Sequence, residues 1–394
     1  PPRRDWDHRR PPAKRGERRV TVPPRPDVAG RMAAIGFDGW LREDGSRYWT
    51  EDACFELSDD EVEVLETAAF AAEAMVTAAV ERAIADPAAL LRLGLPEALV
   101  PVAQESWLRG DPSLYGRFDF AWDGDGPPKL LEYNADTPTA LYEAAVVQWQ
   151  WLTDRTQDGD QFNSLHEKLI AAWAALGGAL PPESALHFAA ILDDIDDLTT
   201  TAYLQECAAQ AGLATRLLGL GEIGLKAGRL VDQQDAPITH LFKLYPWEWL
   251  AEEDPAFFAA ISRHSVGVME PAWRVAAASK GLLVDVWRAN PGHPNLLATA
   301  WEDEGLGGDV VAKPILGREG NNVEQRFAGG VRTAGSFADQ PRVLQARAAM
   351  PPFDGLTPVF GVWMVAGEPC GLGIREDRSP ITGYGAAFIP HRIV

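Results

Sequence analysis

Residues 117–136 read RFDFAWDGDGPPKLLEYNAD. Polar and apolar residues alternate over 117–122 and again over parts of 129–134, with Asp-Gly-Asp-Gly-Pro-Pro between them. Alternation at period two marks strands, and the intervening glycines and prolines supply turn chemistry, so the stretch reads as a β-hairpin. With a four-residue loop at 124–127, Asp119 stands opposite Glu132 and Arg117 opposite Asn134. Side chains alternate across a strand, so these four share one face. Two carboxylates and an amide oxygen on a rigid hairpin are hard donors of the kind Mg²⁺ takes. Arg117 beside them suits a phosphoryl or carboxylate oxygen. A solvent-facing hairpin with an ordinary salt bridge satisfies the same spacing.

Working outward, Thr137-Pro138 predicts the start of a helix running to about Leu152, with Thr137 as N-cap and Pro138 as first helical residue. Free backbone N–H groups at Thr137 to Thr139 then favour an anion beside the metal set. Upstream, Ser58-x-x-Glu61 forms a capping box, with Leu57 and Val62 as hydrophobic staple. Val62, Leu65, Ala69, Ala72 and Val76 continue at helical spacing until Asp86-Pro87 ends the helix. Downstream, HFAAILDD, LTTTAYLQECAAQAG and ATRLLGL predict a βαβ unit from His187. A strand with an aromatic end follows at 238–250, then strand–loop–strand at 309–327 and a hairpin at 358–376 that turns near Gly367. The class is mixed α/β.

A second polar cluster is KPILGREGNN, Lys313 to Asn322. No G-K-[ST] occurs, and a strand rather than a helix follows, so this is not a Walker A loop. A glycine-containing hairpin with Lys313 and Arg318 can fold over a triphosphate; a plain β-turn with surface charges fits equally. Glu248 in YPWEW is flanked by aromatics, which suit either an amine or a packed structural carboxylate. Lys280 falls near a helix end and Cys207 on an apolar helix face.

The 394 residues carry a net charge of −21, which opposes binding to nucleic acid or anionic lipid and mildly favours a cationic partner such as a polyamine. Three cysteines form no CxxC, so neither a zinc site nor a disulfide framework is expected. No apolar run reaches membrane-spanning length and no signal peptide is evident, so a cytoplasmic location is expected. Residues 1–19 hold eight Lys/Arg, three acids and four prolines, the composition of a disordered basic arm.

With these residues laid out, the chain resembles the glutathionylspermidine synthetase family of ATP-grasp carboxylate–amine ligases from about residue 20 onward. The stretches that carry the resemblance are 117–145, DDIDDLTTTAYLQECAAQAGL, HLFKLYPWEWL, EPAWRVAAASKGLL, NPGHPNLL, VAKPILGREGNNV and GLGIREDRSPITG. It implies an ATP-grasp-like fold, with an inserted βαβ pre-ATP-grasp-like subdomain at 183–237 and the main ATP-binding part at 238–394. It implies Mg²⁺ on Asp119, Glu132 and Asn134, and ATP on Lys280, Lys313, Gly317, Gly320, Asn321 and Gln345, under a lid at 317–322. Arg117 and Arg318 are implied as catalytic, contacting the transferred phosphoryl group and the acyl phosphate. Thr137, Thr139 and Arg375 are implied near the substrate carboxylate, and Glu248 near the amine. The reaction implied is amide formation through an acyl phosphate, from a glutathione-like peptide or amino-acid carboxylate and an amine, a polyamine among the options. A non-catalytic nucleotide- or peptide-binding relative and a small-molecule kinase are the alternatives. With about twenty residues ahead of the matching stretch, no amidase activity is expected.

Overall fold

The computed structural model describes residues 18–42, 44–178, 184–263 and 265–394. Its central sheet has five antiparallel strands in the order Ala387–Ile389, Glu368–Asp377, Thr357–Val365, Tyr115–Ala121 and Lys129–Asn134. Tyr115–Ala121 lies inside this sheet, and all seven of its residues are buried. The helix Asp59–Ile84 packs against the two long strands and buries Val62, Leu65, Ala69, Ala72 and Val76. Its capping box forms as expected: Glu61 N–H donates to Ser58 Oγ and Ser58 N–H to Glu61 Oε2. Leu57 and Val62 are buried in the same apolar cluster.

The βαβ unit is present as Leu186–Ala190, Ile195–Gln210 and Thr215–Gly219, with parallel strands. Its sheet continues beyond residue 237: His240–Leu244 and Gly267–Met269 add to the other edge, both parallel. A third sheet, antiparallel, runs Thr299–Trp301, Arg342–Ala346, Val310–Pro314 and Glu324–Arg326. No described helix is long and apolar enough to cross a membrane.

Two expectations are corrected. Arg18 and Arg19 do not belong to a disordered arm. Arg19 opens the strand Arg19–Thr21, pairs opposite Phe55, and binds Glu376 through Nε at 2.8 Å and Nη2 at 3.0 Å; Arg18 Nε donates to Glu61 at 2.7 Å. Residues 1–17 of the expected arm lie outside the described residues. The second correction is that the helix after the hairpin begins at Leu141, not at Pro138. The Tyr115 hydroxyl donates to Pro138 O and Arg117 Nη1 to Thr139 O, while Ala140 takes a left-handed φ of 66°. These long-range hydrogen bonds draw the carbonyls away from a first helical turn. Thr137 therefore caps no helix, and no helix N-terminus forms an anion site at 137–139.

Candidate active site

The hairpin pairs Asp119 with Glu132 and Arg117 with Asn134, as expected. Asp119 is only 2% exposed, and a carboxylate so buried must be paired. Arg117 meets it with two bonds, Nε–Oδ1 at 2.6 Å and Nη2–Oδ2 at 3.0 Å. Arg375, reaching across from Glu368–Asp377, donates to Oδ2 at 2.9 Å, and Asn134 Nδ2 donates to the same oxygen at 3.1 Å. Gly361 on the intervening strand makes this reach possible. A Cβ there would lie 2.7 Å from Arg117 Cδ and 3.1 Å from Asp119 Oδ1.

The ladder shifts register between Asp119 and Phe120, leaving Leu131 as an extra residue in a bulge. Carbonyls at this irregular point accept from the third sheet: Lys313 Nζ donates to Leu131 O at 3.1 Å and Gln345 Nε2 to Leu130 O at 3.2 Å. Lys313 Nζ also donates to Gln345 Oε1 at 2.7 Å. Burial is the main force on Lys313 and pushes its pKa down to about 8, with Lys280 adding to the effect and Glu132 opposing it. Lys280 Nζ sits 3.0 Å from Glu132 Oε2 and donates to Gly317 O at 2.7 Å. Burial alone would raise the Glu132 carboxyl, but Lys280, Lys313 and Arg375 outweigh it and hold the group well below the ordinary range.

The glycine loop closes this side. Gly320 has φ 66°, and a Cβ on it would come 2.6 Å from Thr382 O, so the loop rests on the 380–383 segment. A cavity of about 610 Å³ results. Arg117, Asp119, Glu132, Asn134, Thr137, Thr139, Lys280, Lys313, Gly317, Arg318, Gly320, Asn321, Gln345 and Arg375 all line it. Glu248 does not: it lies behind Arg318, whose Nη2 donates to Glu248 Oε1 at 2.9 Å. Asp119, Glu132 and Asn134 have the donor chemistry for Mg²⁺, and as two carboxylates plus an amide they leave positions for water and phosphate oxygens.

Sequence reasoning missed part of the cavity wall: Asp194, Asp197, Tyr245 and Trp249 also line it. Asp194 caps the helix Ile195–Gln210, accepting from Asp196 N–H at 2.9 Å and Asp197 N–H at 3.1 Å. Burial, then Asp194, raises Asp196 to about 6 and Asp197 to about 7. The only signal was the run DDIDD at 193–197, which reads equally well as a helix start.

One cavity thus brings a cluster of lysines and arginines together with Asp194 and Asp197. The family model for the glutathionylspermidine synthase pre-ATP-grasp region matches residues 19–394. The chain belongs to the glutathionylspermidine synthase family. Members of this family are ATP-dependent, amide-forming C–N ligases. A Haemophilus influenzae protein provisionally named acid–amine ligase is 36% identical over 398 residues, covering 96% of this chain and all of the relative. The bifunctional glutathionylspermidine synthetase/amidase of Escherichia coli is 28% identical, with 90% of this chain matching 65% of that protein. Trypanothione synthetase of Crithidia fasciculata is 27% identical, with 76% of this chain matching 50% of that protein. The chain therefore spans between half and two thirds of these two longer relatives. Among solved structures, a glutathione-synthetase-like effector from Globodera pallida superposes with a TM-score of 0.54 at 10% identity, covering 86% of this chain and 89% of that one. The fold of this synthase-family chain is accordingly of the ATP-grasp kind.

Proposed function

We propose that this chain activates a peptide or amino-acid carboxylate as an acyl phosphate at the expense of ATP and passes the acyl group to a cationic amine. The observation that supports this most is that Lys280, Lys313, Arg117, Arg318 and Arg375 line the same cavity as Asp194 and Asp197. Lys280 and Lys313, with Gln345 and the loop residues Gly317, Gly320 and Asn321, bind the nucleotide. Mg²⁺ on Asp119, Glu132 and Asn134 supplies charge neutralisation on the phosphates when bound.

The substrate carboxylate, placed by Arg375, Thr137 and Thr139, attacks the γ-phosphorus through one oxygen. The bond to the bridging oxygen breaks, and ADP keeps that electron pair. Arg117 and Arg318 stabilise the charge on the transferring group because they are donors already held in place, by Asp119 and by Glu248. The amine then attacks the acyl carbon and phosphate leaves with the C–O electron pair, while the amine's proton passes to an acidic neighbour. Asp194 and Asp197 hold the remaining ammonium groups of an amine carrying more than one charge; the resemblance had placed Glu248 near the amine.

Hydroxylamine trapping tests this. The protein is incubated with Mg-ATP, hydroxylamine and a panel of carboxylates that includes glutathione and short glycine-ended peptides. Hydroxamate formed in proportion to ADP, only when the acid is present, is the expected result. ADP without hydroxamate, together with a phosphorylated acceptor, identifies a kinase instead. Binding of ATP with no ADP from a broad panel identifies a binding protein.

A further inference from the structure

Arg318 is held on three sides. Its Nη2 donates to Glu248 Oε1 at 2.9 Å, and its guanidinium lies 5.0 Å from the Trp249 ring centroid. Its loop is fixed on either flank, by Lys280 on Gly317 O and by the close seating of Gly320 on Thr382. Glu248 is buried, and both it and Trp249 lie on the short helix Trp247–Glu253 that follows His240–Leu244 of the parallel sheet. One donor is left over: Arg318 Nη1 is buried and has no acceptor among the described residues, although Arg318 itself lines the cavity. Buried guanidinium N–H groups are normally paired, so Arg318 is held in place by Glu248, Trp249 and its loop rather than by a full set of hydrogen bonds of its own.

We infer that Glu248, with Trp249 beside it, is a positioning residue that holds the Arg318 guanidinium at the cavity wall, where the reacting phosphoryl group is placed. The inference rests on the acyl-phosphate reading above. Glu248 touches no reacting atom and acts through Arg318 alone. It also joins the loop 317–322 to the helix Trp247–Glu253 that carries Trp249. When the pair is broken, the loop loses its tether and water reaches the acyl carbon. Water then adds in place of the amine, phosphate leaves, the free carboxylate returns, and one ATP is spent without an amide.

The test uses E248A, E248Q, E248D and W249L in the full chain, with two readouts. Hydrogen–deuterium exchange of the peptide spanning 317–322 reads the tether directly and requires no turnover. The ratio of ADP to hydroxamate reads leakage to water. Loss of an ion pair of this kind is expected to speed exchange about 5-fold or more in E248A and E248Q. The ADP to hydroxamate ratio, read at saturating ATP so that nucleotide binding by the loosened loop does not enter, rises in the same variants. E248D restores part of both effects, and W249L moves both in the same direction by less. Unchanged exchange and an unchanged ratio in E248Q overturn the inference, and E248Q keeps the side-chain volume should E248A fail to fold. A wild-type protein that makes no hydroxamate from any acid refutes the proposed function, while the exchange measurement still decides the role of Glu248.

Discussion

Gly361 has ordinary strand geometry, so backbone freedom does not explain it; the space above it does. Arg117, Asp119 and Arg375 meet over a position where one methyl group would press on Arg117 and Asp119 together. Gly361→Ala is expected to fold, since an added methyl costs about 1–3 kcal/mol. Its kcat is expected to fall about 10-fold or more through misplacement of Arg117, with a smaller change in the KM for ATP; steady-state kinetics beside a melting curve check both. On the cavity wall, Asp194→Asn combined with Asp197→Asn is expected to raise the KM for a polyamine about 10-fold or more, the scale of losing charge-assisted bonds. Hydroxamate formation in the same variant stays near wild type, because hydroxylamine carries no second ammonium to be held. Equal loss in both assays places these acids elsewhere in the mechanism. These two positions differ in how far the sequence exposed them. Asp119 and Glu132 stand out because hairpin spacing alone puts them on one face. Asp194 and Asp197 become part of the site only because the parallel sheet packs beside the hairpin, and no local pattern carries that information.

At the level of elements, the hairpin was legible at the site and misread at its turn. The loop expected at 124–127 implies one uniform register, yet Phe120 pairs with Leu130 and Ala121 with Lys129, one step away from it. The bulge at Leu131 restores the step, so Asp119 still meets Glu132. The following helix was placed too early because Thr137-Pro138 satisfies every local rule for a helix start, and local rules are blind to Tyr115 and Arg117 claiming the carbonyls. That helix also contains a π segment, Glu143–Val147, which begins with a buried carboxylic acid. Burial, then Asp196, raises Glu143 to about 7, while the Tyr48 hydroxyl at 2.8 Å and Arg117 pull it down. A folded-state pKa above the unfolded one means that the native state keeps a proton the unfolded chain gives up. Stability is therefore full below the ordinary carboxyl pKa and declines as pH rises toward 7, by on the order of 1–3 kcal/mol. Glu143→Gln is expected to match wild type near pH 5 and to melt about 2 °C or more higher at pH 8. Parallel melting curves at both pH values refute this assignment.

Across the whole molecule, three sheets supply side chains to one cavity, and buried charge ties two of them together. Lys243 of the parallel sheet is fully buried and binds Asp136 Oδ1 at 3.1 Å, just beyond the hairpin, while Trp247 N–H donates to Asp136 Oδ2 at 3.2 Å. Burial lowers the Lys243 pKa and Asp136 opposes that shift. Lys243→Met strands a buried carboxylate and is expected to cost about 3–5 kcal/mol; adding Asp136→Asn should recover a large part of the loss. Urea midpoints for the two single variants and the double variant complete the cycle, and simple additivity argues against the coupling. The same habit of internal pairing runs through the cavity: Arg117 and Arg375 rest on Asp119, Lys280 on Glu132, and Arg318 on Glu248. With its own side chains so paired, the site is in effect a salt already dissolved in itself. An incoming polyanion meets cations that mostly hold carboxylates already, and to take Arg117, Arg375 or Lys280 for itself it must displace Asp119 or Glu132. Such a site discriminates by how many trades a ligand completes at once. A lone sulfate or phosphate completes too few to displace the resident carboxylates, whereas a nucleotide with its metal can satisfy both the released acids and the released bases.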